Sequence, residues 1–163
     1  MKRSILLLLL SVMLWSCASP GMKWESIPED KRATSVIYEI PGVGGDALFQ
    51  RTVNWMNTAV VKKGGRIVQA DKIGGSLSAK VMTTYNNMFV EVPASYTMRV
   101  NFKDGKVRVT CYDFEDYWGE YQKRARPVED ADFLRQLMKK ANEKKEALFA
   151  YLKSGSPVAE EEW

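Results

Sequence analysis

A chain of 163 residues with no histidine excludes at once Ser-His-Asp triads, imidazole acid-base relays and His-containing zinc sites. Its formal charge of +4 owes two units to Lys2 and Arg3 in a leader-like segment; taking these from the 24 basic residues leaves 22 against 20 acidic ones, too even a balance for a nucleic-acid footprint. Of its two cysteines one, Cys17, closes that segment, so the fold is not built on disulfides and rests on a hydrophobic core, which one domain of this size supplies.

The leader comes first in chain order. Lys2-Arg3 precede an apolar run over residues 5–14 that is too short to cross a bilayer as a helix, and the small residue Ser16 stands before Cys17, the pattern of a secretory signal. Leu14-Trp15-Ser16-Cys17 further resembles the lipobox of bacterial lipoproteins, although Trp15 is bulkier than is usual in that slot. The resemblance implies a diacylglyceryl group on Cys17, cleavage before it, and acylation of the new amino terminus, with palmitate for example. An ordinary signal cut near Ala18-Ser19 is the alternative. The expected organisation is a signal peptide over 1–16, a lipidated tether over 17–33, a folded domain over 34–153 and an acidic tail over 154–163. The expected address is the bacterial cell envelope, on the outer membrane, with the membrane as partner through Cys17.

Residues 34–40 read as a strand with Val36, Tyr38 and Ile40 on one face, ended by Pro41-Gly42. A helix is expected from an N-cap at Asp46 to about Val61, since Phe49, Val53, Met56 and Val60 recur at helical spacing; Gly64-Gly65 closes it. Residues 66–73 and 76–85 read as strands joined by Gly74-Gly75, the second alternating Leu77, Ala79 and Val81. After a loop at Asn86-Asn87, residues 92–102 place Tyr96, Met98, Val100 and Phe102 on one face and Thr97, Arg99 and Asn101 on the other, so one face is buried and one is wet. Asp104-Gly105 turns the chain into residues 106–114, where Val107, Val109 and Cys111 face inward. Strict alternation would then bury Asp113 and expose Phe114, so a bulge or strand end is expected between Cys111 and Phe114. Residues 115–129 read as the longest loop. The last helix starts at Asp130 and buries Leu134, Leu137, Met138, Ala141, Leu148 and Leu152.

The result is an α+β domain of order β-α-β-β-β-β-α: an antiparallel sheet with both helices packed on one face. The chain resembles a family of uncharacterised bacterial lipoproteins through Tyr38-Glu39-Ile40-Pro41-Gly42, Trp55, Lys103-Asp104-Gly105-Lys106, Asp113-Phe114 and the lysine-rich last helix. The resemblance covers roughly residues 35–152 and implies a domain of unknown function with a TATA-binding-protein-like (TBP-like) fold. It supplies no catalytic residues, and a fold name does not import DNA binding.

No motif identifies a reaction. Cys111 alternates with Val107 and Val109 and reads as a core thiol rather than a nucleophile. Gly42-Val43-Gly44-Gly45 lacks the following Lys-Ser/Thr of a phosphate loop. Asp71 with Asp113 or Asp116 forms no calcium-loop pattern, so neither metal nor cofactor is expected. Lys139, Lys140, Lys144, Lys145 and Lys153 read as a solvated helix face, or as one that meets anionic headgroups. The best candidate ligand surface joins the loop aromatics Tyr112, Tyr117, Trp118 and Tyr121 to Arg99 and Arg108 on the open sheet face, because aromatics and arginine are enriched at binding surfaces. Against it stands the possibility that Phe114, Tyr117 and Trp118 fold back over the end of the core. The expected function is a non-catalytic binding or scaffold module with an envelope protein or glycan as partner and no nucleic acid; these residues do not set an oligomeric state. The alternative is an envelope hydrolase acting on glycan or peptide through Glu115, Asp116 and Glu120.

Overall fold

The computed structural model describes Pro28 and residues 31–117 and 124–155. The leader, Cys17, nearly all of the tether, Trp118, Glu120, Tyr121 and residues 156–163 of the acidic tail lie outside the described residues, while Ser154 belongs to the last helix rather than to the tail. In chain order the elements are β1 (Thr34–Glu39), α1 (Gly45–Ala59), β2 (Arg66–Asp71), β3 (Ser76–Asn87), β4 (Val90–Lys103), β5 (Lys106–Asp116), β6 (Arg126–Pro127) and α2 (Ala131–Ser154). The strands form one antiparallel sheet in the order β1-β5-β4-β3-β2, with the two-residue β6 paired to the far end of β5.

Period-two alternation decides which side of each strand is dry. Leu77, Ala79 and Val81 of β3, Met98, Val100 and Phe102 of β4, and Val107, Val109 and Cys111 of β5 all point to one face and are buried. Both helices cover that face with their apolar stripes. α1 brings Leu48, Phe49, Trp55 and Met56, α2 brings Leu134, Leu137, Ala141, Leu148 and Leu152, and all belong to one core. Among the described residues three ring pairs stitch the helices to the sheet: Tyr38 stacked on Phe149, Phe49 edge-on to Phe102, and Tyr85 stacked on Phe133.

The break in parity after Cys111 is a bulge. The β4–β5 register slips between Ser95 and Thr97, and Asp113 takes φ 52°, a left-handed conformation that Asp tolerates better than most residues. The extra residue turns Phe114 inward, where it is 4% exposed beside Tyr96.

Several boundaries differ from the sequence reading for identifiable reasons. Asp46 is not the N-cap: that position falls two residues earlier, on Gly44, which makes no side-chain cap. The carboxylate that serves this helix end comes instead from Asp104, 59 positions away, whose Oδ1 accepts from Gly45 N at 2.8 Å. Asp46 pairs with Lys72 at the surface. β2 ends at Asp71, because that carboxylate accepts from Gly74 N and closes the turn early, leaving Ile73 in water. β3 and β4 extend to a tight turn at Asn87–Val90 rather than stopping at a loop around Asn86-Asn87. Residues 115–129 are not wholly loop, since β5 runs to Asp116 and β6 returns beside it. Asp130 does cap α2, accepting from Asp132 N and Phe133 N.

Candidate functional site

The sheet face opposite the helices is built by the residues that alternate with the core set. Thr97, Arg99 and Asn101 on β4 lie beside Tyr112, Thr110 and Arg108 on β5 in direct register. On β1, Ser35 and Ile37 oppose Thr110 and Arg108. Arg99 and Arg108 are therefore diagonal neighbours on one surface, close enough for their charges to repel. Both are exposed, and among the described residues neither forms an ion pair. Beside them a shallow groove of about 340 Å³ is lined by Ile37, Asn101, Phe102, Lys103, Lys106 and Arg108. Ile37 is 53% exposed there, giving the groove an apolar floor inside a cationic rim.

Of the aromatics expected to join this surface, the structure brings two. Tyr112 is half-buried in register with Thr97. Tyr117, also half-buried, lies against β4: its N–H donates to Pro93 O at 3.0 Å, and its hydroxyl is 3.1 Å from Ser95 Oγ. Phe114 belongs to the core, as the competing reading supposed, whereas Trp118 and Tyr121 lie outside the described residues.

Of the three carboxylates considered for hydrolysis, Glu120 lies outside the described residues, and the other two are engaged in holding the end of the sheet. Glu115 is ion-paired with Lys80. Asp116, 9% exposed, accepts from the Tyr85 hydroxyl at 3.0 Å and pairs with Arg126. Asp71 pairs with Ser76 near the opposite end of the sheet, so the structure does not bring it to Asp113 or Asp116. Among the described residues no group of acidic or cysteine side chains is arranged to hold a metal ion.

The lysines of α2 require a correction. Lys139 and Lys153 are solvated, but Lys145 is 3% exposed and donates to Thr34 Oγ1 at 2.9 Å. Lys144 is half-buried with its Nζ 3.4 Å from Ala59 O. Burial lowers both pKa values, and Lys63 adds to the effect at Lys144. Lys145 sits where Thr34 pairs with Cys111, so a cation does face the thiol. Burial nevertheless dominates and pushes Cys111 up to about 12, with Lys145 opposing, which leaves it an unreactive core thiol at neutral pH. The 3.6-residue period hid this, because a long amine can lie along the stripe and end at a polar edge.

Sequence reasoning placed a loop at Asn86-Asn87 between β3 and β4 but missed that the connection is a tight turn with an exposed apolar tip. Met88 adopts φ 55°, and Met88, Phe89 and Val90 are 79%, 102% and 51% exposed. Asn86-Asn87 marked a loop but not this tight geometry, since the usual Gly of such a turn is absent.

Among the described residues no helix is long and apolar enough to cross a membrane. No curated protein matches the chain significantly. In structure it is similar to a TBP-like protein from Parabacteroides distasonis ATCC 8503, with a TM-score of 0.63, 12% identity, and coverage of 79% of this chain and 98% of that one. It is similar also to a DUF4468 family protein from Bacteroides ovatus ATCC 8483, with a TM-score of 0.58, 15% identity, and coverage of 82% and 93%. At these identities the likeness establishes the fold alone. The model of one family, described as a domain of unknown function (DUF4468) with TBP-like fold, matches residues 35–117. Together with the antiparallel sheet and its two helices, that match over half of the chain places this protein in the DUF4468 family of TBP-like domains.

Proposed function

We propose that this protein is a lipid-anchored, non-catalytic binding or scaffold module of the cell envelope, tethered through Cys17 and making its contacts through the helix-free face of the sheet. One observation carries the reading: Arg99 and Arg108 stand diagonally adjacent on that face without an ionic partner among the described residues. Two like charges so placed cost stability in the free protein. An anionic partner laid across them would relieve that cost, and the Ile37 groove beside them gives it apolar contact. The occupant best suited to this surface is an acidic segment of an envelope protein or an anionic glycan.

The test uses the full chain in its own membrane. A photo-crosslinker at Thr110, between the two arginines, should capture a discrete envelope component, whereas the same group at the exposed Lys139 should not. The combined Arg99→Glu and Arg108→Glu change should abolish the capture while leaving the protein folded. Equal capture from both positions, or capture indifferent to the charge reversal, would overturn the proposal. Anchoring is read separately: fatty-acid incorporation should be lost in Cys17→Ser, and equal labelling of both chains would remove the lipoprotein assignment.

A further inference from the structure

The turn joining β3 to β4 is the most exposed apolar feature in the described residues. Met88, Phe89 and Val90 stand 79%, 102% and 51% exposed in succession. Asn86 and Asn87 flank them on one side and the single acid Glu91 on the other. Met88 holds a left-handed φ of 55° without the freedom glycine would bring. Strain of this kind persists where the surroundings enforce it and clusters at functional positions. The base of the turn, two residues before Met88, is held in place. Immediately below the turn, the Gln136 side chain of α2 accepts from Asn86 N at 3.0 Å and donates to Asn86 O at 3.1 Å, binding the free edge of β3 as a neighbouring strand would. Tyr85 is stacked on Phe133 one residue earlier. The finger is held at its base and bare at its tip.

Its direction follows from the strand registers. Thr34, where the folded domain begins, is level with Cys111 on β5 and so with Met98 on β4. β1 runs parallel to β4, so the chain enters from the side on which the finger projects. The tip stands beyond that entry by eight residues of β4, about 27 Å at strand rise. A tether over residues 18–33 spans up to about 53 Å when extended, so it reaches past the tip.

Ile73, at the opposite end, is equally bare at 103% exposed. It stands alone among Asp46, Lys72, Lys103 and Asp104, which a hydrocarbon boundary would exclude.

We propose that Met88, Phe89 and Val90 insert into the interfacial region of the bilayer that holds the lipid anchor, fixing the domain upright with its arginine-bearing face turned sideways. The occupant is a phospholipid surface, because three consecutive exposed apolar side chains bordered on one side by uncharged asparagines suit the headgroup and acyl boundary, and the anchored chain is long enough to bring them there. The inference rests on the reading of Cys17 as an anchor.

The test takes the full lipidated chain in vesicles of phosphatidylethanolamine and phosphatidylglycerol. A nitroxide is placed at Val90→Cys, beside an intact Met88 and Phe89, or at Ile73→Cys. Cys111 is buried and does not compete for the label. Flotation of the chain with the vesicles reads the anchor by itself, and failure to float removes both readings. In floating protein, the label at position 90 should gain collisions with oxygen and lose them with an aqueous nickel chelate, while the label at 73 stays in water. Adding Phe89→Asp to Val90→Cys should return that label to water with flotation unchanged. Two aqueous labels in floating protein would overturn the insertion and leave the anchor standing. A label at 90 shielded from both reagents would also overturn it, since the tip would then be covered by protein.

Discussion

Two tight turns of one sheet, each closing on β4, obey opposite rules. At the β4–β5 turn the left-handed position belongs to Gly105, with φ 68°, and both its backbone groups and the Asp104 carboxylate are bonded to other segments. Gly105 N donates to Val43 O at 2.9 Å, Ile40 N donates to Gly105 O at 2.8 Å, and Asp104 serves the start of α1. At the β3–β4 turn the left-handed position belongs to Met88, and the side chains beyond it touch solvent. The first turn is organised by what it packs against. The second keeps its geometry without any contact at its tip, which is what a surface reserved for something outside the chain requires.

Truncating the same side chain at each turn gives the widest separation. Phe102, next to the β4–β5 turn, is 8% exposed and edge-on to Phe49; Phe102→Ala should cost about 3–5 kcal/mol, the range for an aromatic removed from a core. Phe89→Ala removes as many atoms from water and should change stability by less than about 0.5 kcal/mol. Urea unfolding of both variants measures the contrast, and a loss above about 1 kcal/mol at Phe89 would show that the finger packs against its own domain.

A subtler comparison exchanges the backbone requirement. At Gly105 an added Cβ would meet Ile40 O at 3.7 Å and Pro41 Cα at 3.9 Å, ordinary contacts, so Gly105→Ala should lose only the conformational penalty of φ 68°, about 1 kcal/mol. Met88→Gly should move stability the other way, by up to about 1 kcal/mol, because relief of the left-handed strain offsets the greater entropy of the unfolded chain. Opposite signs in the two unfolding midpoints support unrelieved strain at the finger. A loss at both would mean that the Met88 side chain contributes something the exposed geometry does not reveal.

What the sequence made legible follows the same division. The β4–β5 hairpin, the bulge at Asp113 and the cap at Asp130 could be read because period-two alternation, its failure and cap chemistry are local signals. The open face was equally readable, since burying Val107, Val109 and Cys111 necessarily sends Arg108, Thr110 and Tyr112 to the other side. Three features were not. Asp104 serves a helix 59 positions earlier, Lys145 is buried because Thr34 happens to meet its amine, and Met88 occupies a conformation its residue type disfavours. Each depends on contacts or strain that exist only once distant segments meet. For the candidate site, Arg99, Arg108, Tyr112 and Tyr117 were identified from strand parity and loop composition, but the groove at Ile37 needed β1 to lie beside β5, and no local signal in the sequence gives that pairing.

The smallest expected effect concerns charge at the packed turn. Lys106, the first residue after that turn, pairs with Glu39 at 2.9 Å. The Lys106 hydrogen bond, reinforced by its charge, holds the Glu39 carboxyl below the usual range. A carboxyl depressed in the folded state binds protons more readily when unfolded, so its contribution is present above the unfolded pKa and is lost as pH falls through the folded value. Both groups stand in water, which screens the pair and keeps its worth small. In Lys106→Ala the Glu39 titration midpoint, followed through its carboxyl carbon by NMR, should rise to the ordinary glutamate range, and it should also rise in wild type as salt is added. If Glu39 titrated identically in both proteins, the depression would have to come from a source other than Lys106, and the packed turn would owe its order to Asp104 and the backbone bonds alone.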